Sequence, residues 1–299
     1  MRVRPSPEAE PFRDGELDWG ANKRTSRLLV GDVMVEAAGA IDFVDPSLAP
    51  AVERVRALVG RQEFDPGLIP RATMVRANDG APLSPLRTFT GRLAHENGIV
   101  PSRKSGRALG WEGENQYNMI IKAQTMHDVV HVATESVRFE YVDAGVPKKY
   151  TSDIELVGTG GRRRLIEMKR DEGDLADPDL CRTLAIVAEL CRCCAISFEI
   201  LFARDVFVSR IHRKQAGEFA SRAFSGIDGV HRRALKEHAE DTGRNSTYGA
   251  LRKALCPTDR RRGTAVVQAM TVARVVELDL VKRLREHTPV VLHPQNMLP

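Results

Sequence analysis

The residues of this chain best suited to chemistry lie in one stretch, YTSDIELVGTGGRRRLIEMK, from Tyr150 to Lys169. It reads as strand, turn, strand. The first strand carries Asp153. The second carries Glu167, Met168 and Lys169. Carboxylates on neighbouring strands can hold a divalent cation, Mg²⁺ or Mn²⁺, beside a phosphodiester. The backbone carbonyl of Met168 offers a third oxygen ligand. Lys169 lies two residues beyond Glu167, so strand alternation puts both on one face. There its ammonium can orient or activate a water and offset developing negative charge. Met168 faces the other way, into a core that suits its side chain. Of the ten lysines, Lys169 is the only one with an acid two residues before it. The plainer reading is a solvated Glu167–Lys169 pair on an exposed strand.

Regular elements must hold these residues. From about Gly110 to Phe207 the pattern predicts a helix over Glu112 to Thr125, with Tyr117, Ile120, Ile121 and Gln124 along one side. VVHVA predicts a short strand. SVRFEYVD alternates, with Val137, Phe139 and Tyr141 on one face. AGVPKK reads as a turn, YTSDIELV as the next strand, GTGGRR as a glycine-rich hairpin loop and RLIEMK as its partner strand. A helix opens at Asp177-Pro178, with proline at the first helical position, and ISFEILF is a last strand.

Outside this region the chain is less regular. Residues 1 to 90 are rich in Pro, Gly, Arg and acids, with one helix expected from Pro46 to about Arg61. They form an extension without readable chemistry. Beyond Arg210 the chain looks helical and basic. Short helices are expected over Ser246 to Leu255, Arg261 to Val272 and Asp279 to His287, with short strands at VARVVEL and TPVVLHP. Helices followed by a strand pair suggest a winged-helix-like module. The expected organisation is 1–90 extension, 91–207 core and 208–299 C-terminal domain.

Composition sets wider bounds. The 299 residues carry a net charge of +5, and 35 of the 45 basic residues are arginine. Planar guanidinium groups favour phosphate-rich partners, although an arginine-preferring genome explains the same excess. The cysteines Cys181, Cys191, Cys193, Cys194 and Cys256 lack zinc-ligand spacing and read as small buried residues of an apolar helix in a reducing compartment. No segment has the ~18–20 apolar residues needed to cross a bilayer. The N-terminus MRVRPSPEAEPFRDGE lacks an apolar signal core. These features predict a cytoplasmic protein.

From about Pro101 to Phe202 the sequence resembles the TnsA endonuclease subunit of heteromeric transposases, within the PD-(D/E)xK restriction-endonuclease-like superfamily. PSRKSGR resembles the basic, Gly-containing segment before the family's first helix. WEGENQYNMI falls at its ES-x-x-E helix start. VVHVATESVRFEY resembles the strand with a V-x-x-x-x-x-Q-P signature, KKYTSDIEL the r-x-Y-T-P-D-f strand, and LIEMKR the l-i-E-V-K strand. The resemblance implies a central mixed sheet flanked by helices. It also implies active-site roles for Asp153, Glu167 and Lys169. By implication the protein makes the 5′-strand cut at the ends of a DNA element. A DDE-type transposase would make the 3′ cut, and an AAA+ ATPase would contact the C-terminal domain. Ser152 stands where the family has proline, and Glu135 where it has the Gln before Pro. Gln116 stands at the second glutamate of ES-x-x-E and supplies no charge. Glu112, one helical turn earlier, is the expected helix acid and a further metal ligand, because i and i+4 share a face. Its plainer role is to favour the helix dipole. Glu135 reads as structural. Two alternatives stay open: an assembly subunit that has lost cleavage, motivated by Gln116, and a stand-alone defence nuclease.

Other candidates carry less. GTGGRRR lacks the Lys-Ser/Thr of a phosphate-binding loop and precedes no helix. Its arginines suit DNA-backbone contact. His127 and His131 straddle a helix-to-strand change, so their i, i+4 spacing is not helical. TDRRRG, Thr258 to Gly263, is a basic lead-in to a helix–turn–helix or simply a solvated helix start.

Overall fold

The computed structural model describes residues 25–30, 72–77 and 96–297. The expected helix from Pro46 to Arg61 lies outside the described residues. In chain order the elements begin with β1 (Thr25–Val30), β2 (Ala72–Ala77), β3 (Asn97–Ser102), β4 (Arg107–Glu112), α1 (Glu114–Thr125) and β5 (Val129–Thr134). Then come β6 (Val137–Asp143), β7 (Val146–Thr151), β8 (Ile154–Gly158), β9 (Arg163–Lys169), α2 (Pro178–Cys193) and β10 (Ser197–Phe202). The last are α3 (Arg210–Ser221), α4 (Gly229–Thr242), β11 (Asn245–Thr247), α5 (Tyr248–Leu255), α6 (Arg260–Val272), β12 (Val276–Leu278) and β13 (Pro289–Leu292). The class is mixed α/β. Two compact units divide the chain. The first takes Met1–Ala94, Ala133–Glu155 and Arg162–Leu201, and the second His95–Val132, Leu156–Gly161 and Phe202–Pro299. The chain therefore alternates between them, where the sequence suggested consecutive blocks.

In the first unit, β1, β2, β6 and β7 form an antiparallel sheet in that order. Two strands of the segment read as an extension thus belong to a sheet, and Met74 and Val75 are buried in it. Val137, Phe139 and Tyr141 are buried as the alternation predicts. Glu140 between them is buried too, paired with Arg138 at 2.8 Å. AGVPKK supplies only Ala144 and Gly145 to the turn, both at positive φ, and β7 starts at Val146. The expected strand YTSDIELV is two strands. β7 pairs with β6, whereas β8 belongs to a sheet ordered β10-β9-β8-β5. The break falls at Ser152 and Asp153. There the Ser152 N–H donates to the Val137 carbonyl, and the Glu135 N–H to the Asp153 carbonyl, both at 3.0 Å.

The loop between β8 and β9 keeps Gly160 and Gly161 at φ of 82° and 78°, a region that favours glycine. Leu165 and Ile166 of β9 are fully buried. α2 starts as expected, with Pro178 in the first turn and the Asp177 carboxylate accepting from the Asp179 N–H at 2.9 Å. It buries Cys181 and Cys191, while Cys193 and Cys194 are half-buried and Cys256 lies beyond α5. All five thiols are free.

In the second unit, β3 and β4 make an antiparallel hairpin. α4, β11, α5, α6, β12 and β13 enclose an apolar cluster that includes Leu235, Leu251, Leu255, Val267, Met270 and Leu292. Their sheet runs β11-β13-β12, antiparallel throughout. α5 and α6 approach closely at Gly263, where a Cβ would stand 2.8 Å from the Arg252 carbonyl oxygen. The helix expected over Asp279 to His287 is absent. The Gln215 side chain donates to the carbonyls of Leu280 (2.7 Å) and Lys282 (2.8 Å) and accepts from the Leu284 N–H (2.9 Å). These bonds take up backbone groups that a helix would need. Leu280 is buried beside Phe219 and Val272. Among the described residues no helix is long and apolar enough to cross a membrane.

Candidate active site

Asp153, Glu167 and Lys169 all belong to the first unit. Asp153 sits at the break between β7 and β8, and β9, the neighbour of β8, ends on Glu167, Met168 and Lys169. Oδ2 of Asp153 accepts the Met168 N–H at 2.7 Å, which ties the carboxylate to the end of β9. Glu167 is 6% exposed. Its two oxygens accept from different donors, the Lys169 ammonium at 2.5 Å and the Tyr150 hydroxyl. The solvated-pair reading of Glu167 and Lys169 therefore fails: the carboxylate is buried, and the lysine side chain is only 15% exposed.

The two acids act on each other electrostatically. Burial first, and then the Glu167 carboxylate, push Asp153 up to about 8. The Met168 N–H and the Lys169 charge pull the other way, and Glu135 adds to the rise. Tyr150 is raised well above its ordinary value, chiefly by burial and then by Glu167 and Asp153. The phenol is therefore a hydrogen-bond donor at neutral pH. Met168 itself is 9% exposed.

The helix-face argument for Glu112 is overturned. Glu112 is the last residue of β4 and belongs to the second unit, and α1 begins only at Glu114. Gly113, at φ 79°, separates strand from helix, so Glu112 and Gln116 do not stack as i and i+4. Their contact is different: the Gln116 side-chain oxygen accepts the Glu112 N–H at 2.5 Å. Glu114 pairs with Arg213.

The role of Tyr150 escaped the sequence reading, and Glu135 was read only as structural. Tyr150 sat in view as the start of a strand, but its reach to Glu167 runs from β7 of one sheet to β9 of another. Glu135 is 3% exposed and adopts φ 48°, unusual for a residue with a side chain. A fourth acid, Glu155, is spoken for. Burial opposes its charge, but Arg76, the Ser136 hydroxyl and Arg163 outweigh that and hold its pKa below the ordinary value. Both arginines stand 2.5 Å from Oε1 and Ser136 2.7 Å from Oε2.

In the second unit, His127, Glu277 and His293 bring one ligand atom each within 4.8 Å of one another, the only such group of three among the described residues. The His293 Nε2 stands 3.0 Å from Glu277. Burial first lowers His127 to about 4, and His293, Arg274 and Lys104 add to this while Glu277 opposes it. Two nearby cations thus work against a third there. Of the TDRRRG arginines, Arg260 pairs with Glu286 (2.8 Å) and Arg262 with Asp228 (3.3 Å). That engagement favours the solvated helix start. No protein-family model and no curated protein matches the chain.

Proposed function

We propose that the chain is a Mg²⁺-dependent DNA endonuclease with a restriction-endonuclease-like core and a winged-helix-like C-terminal domain. The observation that carries this reading is the tie of the Asp153 carboxylate to the Met168 N–H, at 2.7 Å, on the strand end that also carries Glu167 and its Lys169 partner. A buried and a half-buried carboxylate that repel each other suit a hard divalent cation, which oxygen donors bind and which removes the repulsion. The donor set therefore fits Mg²⁺ or Mn²⁺, with Asp153, Glu167 and the Met168 carbonyl as its ligands. Such an ion supplies Lewis-acid chemistry to a phosphoryl oxygen. The chain's own groups do the rest. The Tyr150 hydroxyl and the Met168 N–H hold the two carboxylates in fixed rotamers. Lys169 orients the attacking water and offsets charge that develops on the phosphate. The order helix, strand, helix, helix, strand, strand from α4 to β13 supports the winged-helix-like reading.

By its sequence resemblance the substrate is double-stranded DNA at the ends of a mobile element, cut on the 5′ strand. A DDE-type transposase and an AAA+ ATPase are the partners that go with that role. One observation favours a second reading, an assembly subunit without cleavage. Gln116 stands at the helix-acid position, and its amide is committed to the Glu112 backbone. A strand-nicking assay with Mg²⁺ or Mn²⁺, partners included, separates the two. Wild type should cut, and Asp153→Ala and Lys169→Ala should not. Equal background cleavage by all three proteins rejects the enzyme. An adjacent transposase and ATPase gene would argue against a stand-alone defence nuclease.

A further inference from the structure

The second unit holds a cavity of about 480 Å³, within the ~300–1,000 Å³ of small-ligand pockets. Cations reach it from three separate segments. Arg103 and Lys104 come from the β3–β4 turn, Arg232 from the start of α4, and Arg274 from the turn between α6 and β12. Gln295 and Asn296 also line the cavity. Aliphatic side chains supply the remaining wall, and no carboxylate lines it among the described residues.

Arg103, Lys104 and Arg274 are held by carbonyl oxygens. Arg103 donates to the Ala223 carbonyl at 2.7 Å, and Lys104 to those of Ala123 (2.8 Å) and Met126. Arg274 Nε donates to the His127 carbonyl at 2.7 Å. A carbonyl fixes a guanidinium without cancelling its charge. The result is mutual repulsion. Burial, and then the charge of Arg232, lower the pKa of Arg103. Burial lowers Lys104 well below its ordinary value, with Asp128 opposing and Arg274 adding. Asp128 is the acid near both Lys104 and Arg274. Arg274 also holds φ 64°, where a glycine would be relaxed. Its carbonyl is anchored by the Asn296 amide at 2.7 Å. The fold thus tolerates a side chain at a position that disfavours one, and that side chain lines the cavity.

We propose that this cavity binds a phosphate-bearing ligand, the phosphate group of a free nucleotide or of a nucleic-acid strand end. Guanidinium groups present paired N–H donors that match phosphate oxygens. The aliphatic wall suits a sugar or base. An anion here relieves the repulsion among Arg103, Arg232 and their neighbours. The inference does not rest on the nuclease reading, because it concerns other residues and needs no metal.

The test uses the full chain in metal-free, low-salt buffer. Calorimetry measures binding of pyrophosphate and of ADP. Anisotropy compares 5′-phosphorylated and 5′-hydroxyl single-stranded oligonucleotides, with pyrophosphate as competitor. Arg232→Gln should weaken pyrophosphate binding at least tenfold, and Arg274→Lys several-fold through loss of the planar donor pair. Arg261→Gln, on the exposed start of α6, should change nothing. All variants should melt cooperatively. A preference for the 5′-phosphorylated oligonucleotide, competed by pyrophosphate, supports the proposal and assigns a strand end. Binding of ADP and pyrophosphate without that preference supports it and assigns a free nucleotide. Absence of binding by every probe at millimolar concentration overturns it. So does equal weakening by Arg261→Gln and Arg232→Gln, which would mark diffuse surface charge.

Discussion

Replacing Asp153 with Asn should stabilise the metal-free protein, and do so increasingly from pH 5 to pH 8. Asp153 titrates near 8 in the folded chain, against an ordinary value of 3.8. The folded state therefore keeps a proton that the unfolded chain releases. Stability from this group is full below about 3.8 and is lost as pH rises through about 8. One pKa unit corresponds to about 1.4 kcal/mol. Between pH 5 and 8 the wild type should lose about 3–4 kcal/mol relative to Asp153→Asn. Urea denaturation in EDTA at pH 5, 6, 7 and 8 measures the difference. Mg²⁺ at pH 8 should return stability to the wild type and not to the variant, because ion binding to both carboxylates displaces the proton. Parallel stability curves for the two proteins across this range would refute the raised pKa of Asp153.

Further outcomes follow from other contacts. Glu155→Gln leaves Arg76 and Arg163 facing a neutral group, and should cost about 3 kcal/mol in urea midpoint free energy. Tyr150→Phe removes a donor to Glu167 and should cost about 1–2 kcal/mol, with weaker Mn²⁺ binding by calorimetry. Gly263→Ala forces a Cβ against the Arg252 carbonyl and should destabilise by about 1–3 kcal/mol, read as a lower melting temperature. His127 is held near 4, so the stability it contributes is present above its ordinary 6.5 and fades as pH falls through about 4. His127→Gln should flatten the melting-temperature profile over that window.

Much of the core was legible because its signals are local. The alternation of Val137, Phe139 and Tyr141 and the Asp177-Pro178 start of α2 each depend on neighbours in sequence. Glu167-x-Lys169 was legible for the same reason, since strand geometry alone puts both on one face. What the sequence hid is long-range. Nothing local marks Ser152–Asp153 as a break between two sheets, because the residues on either side are good strand formers. Glu112 looked helical because WEGENQ continues into a helix, yet pairing of β4 with β3 claims it as a strand end. The Asp279–His287 segment has helical spacing, but the Gln215 side chain captures its backbone. The cavity cations come from residues 103 to 274 and converge only in the folded unit.

A Mn²⁺-soaked crystal read by anomalous scattering tests the central proposal most directly. The account expects a peak bound by one oxygen from Asp153 and one from Glu167, at roughly the 2.0–2.3 Å of hard-cation coordination. No peak between those carboxylates at pH 8, or Mn²⁺ bound only at His127, Glu277 and His293, would contradict it.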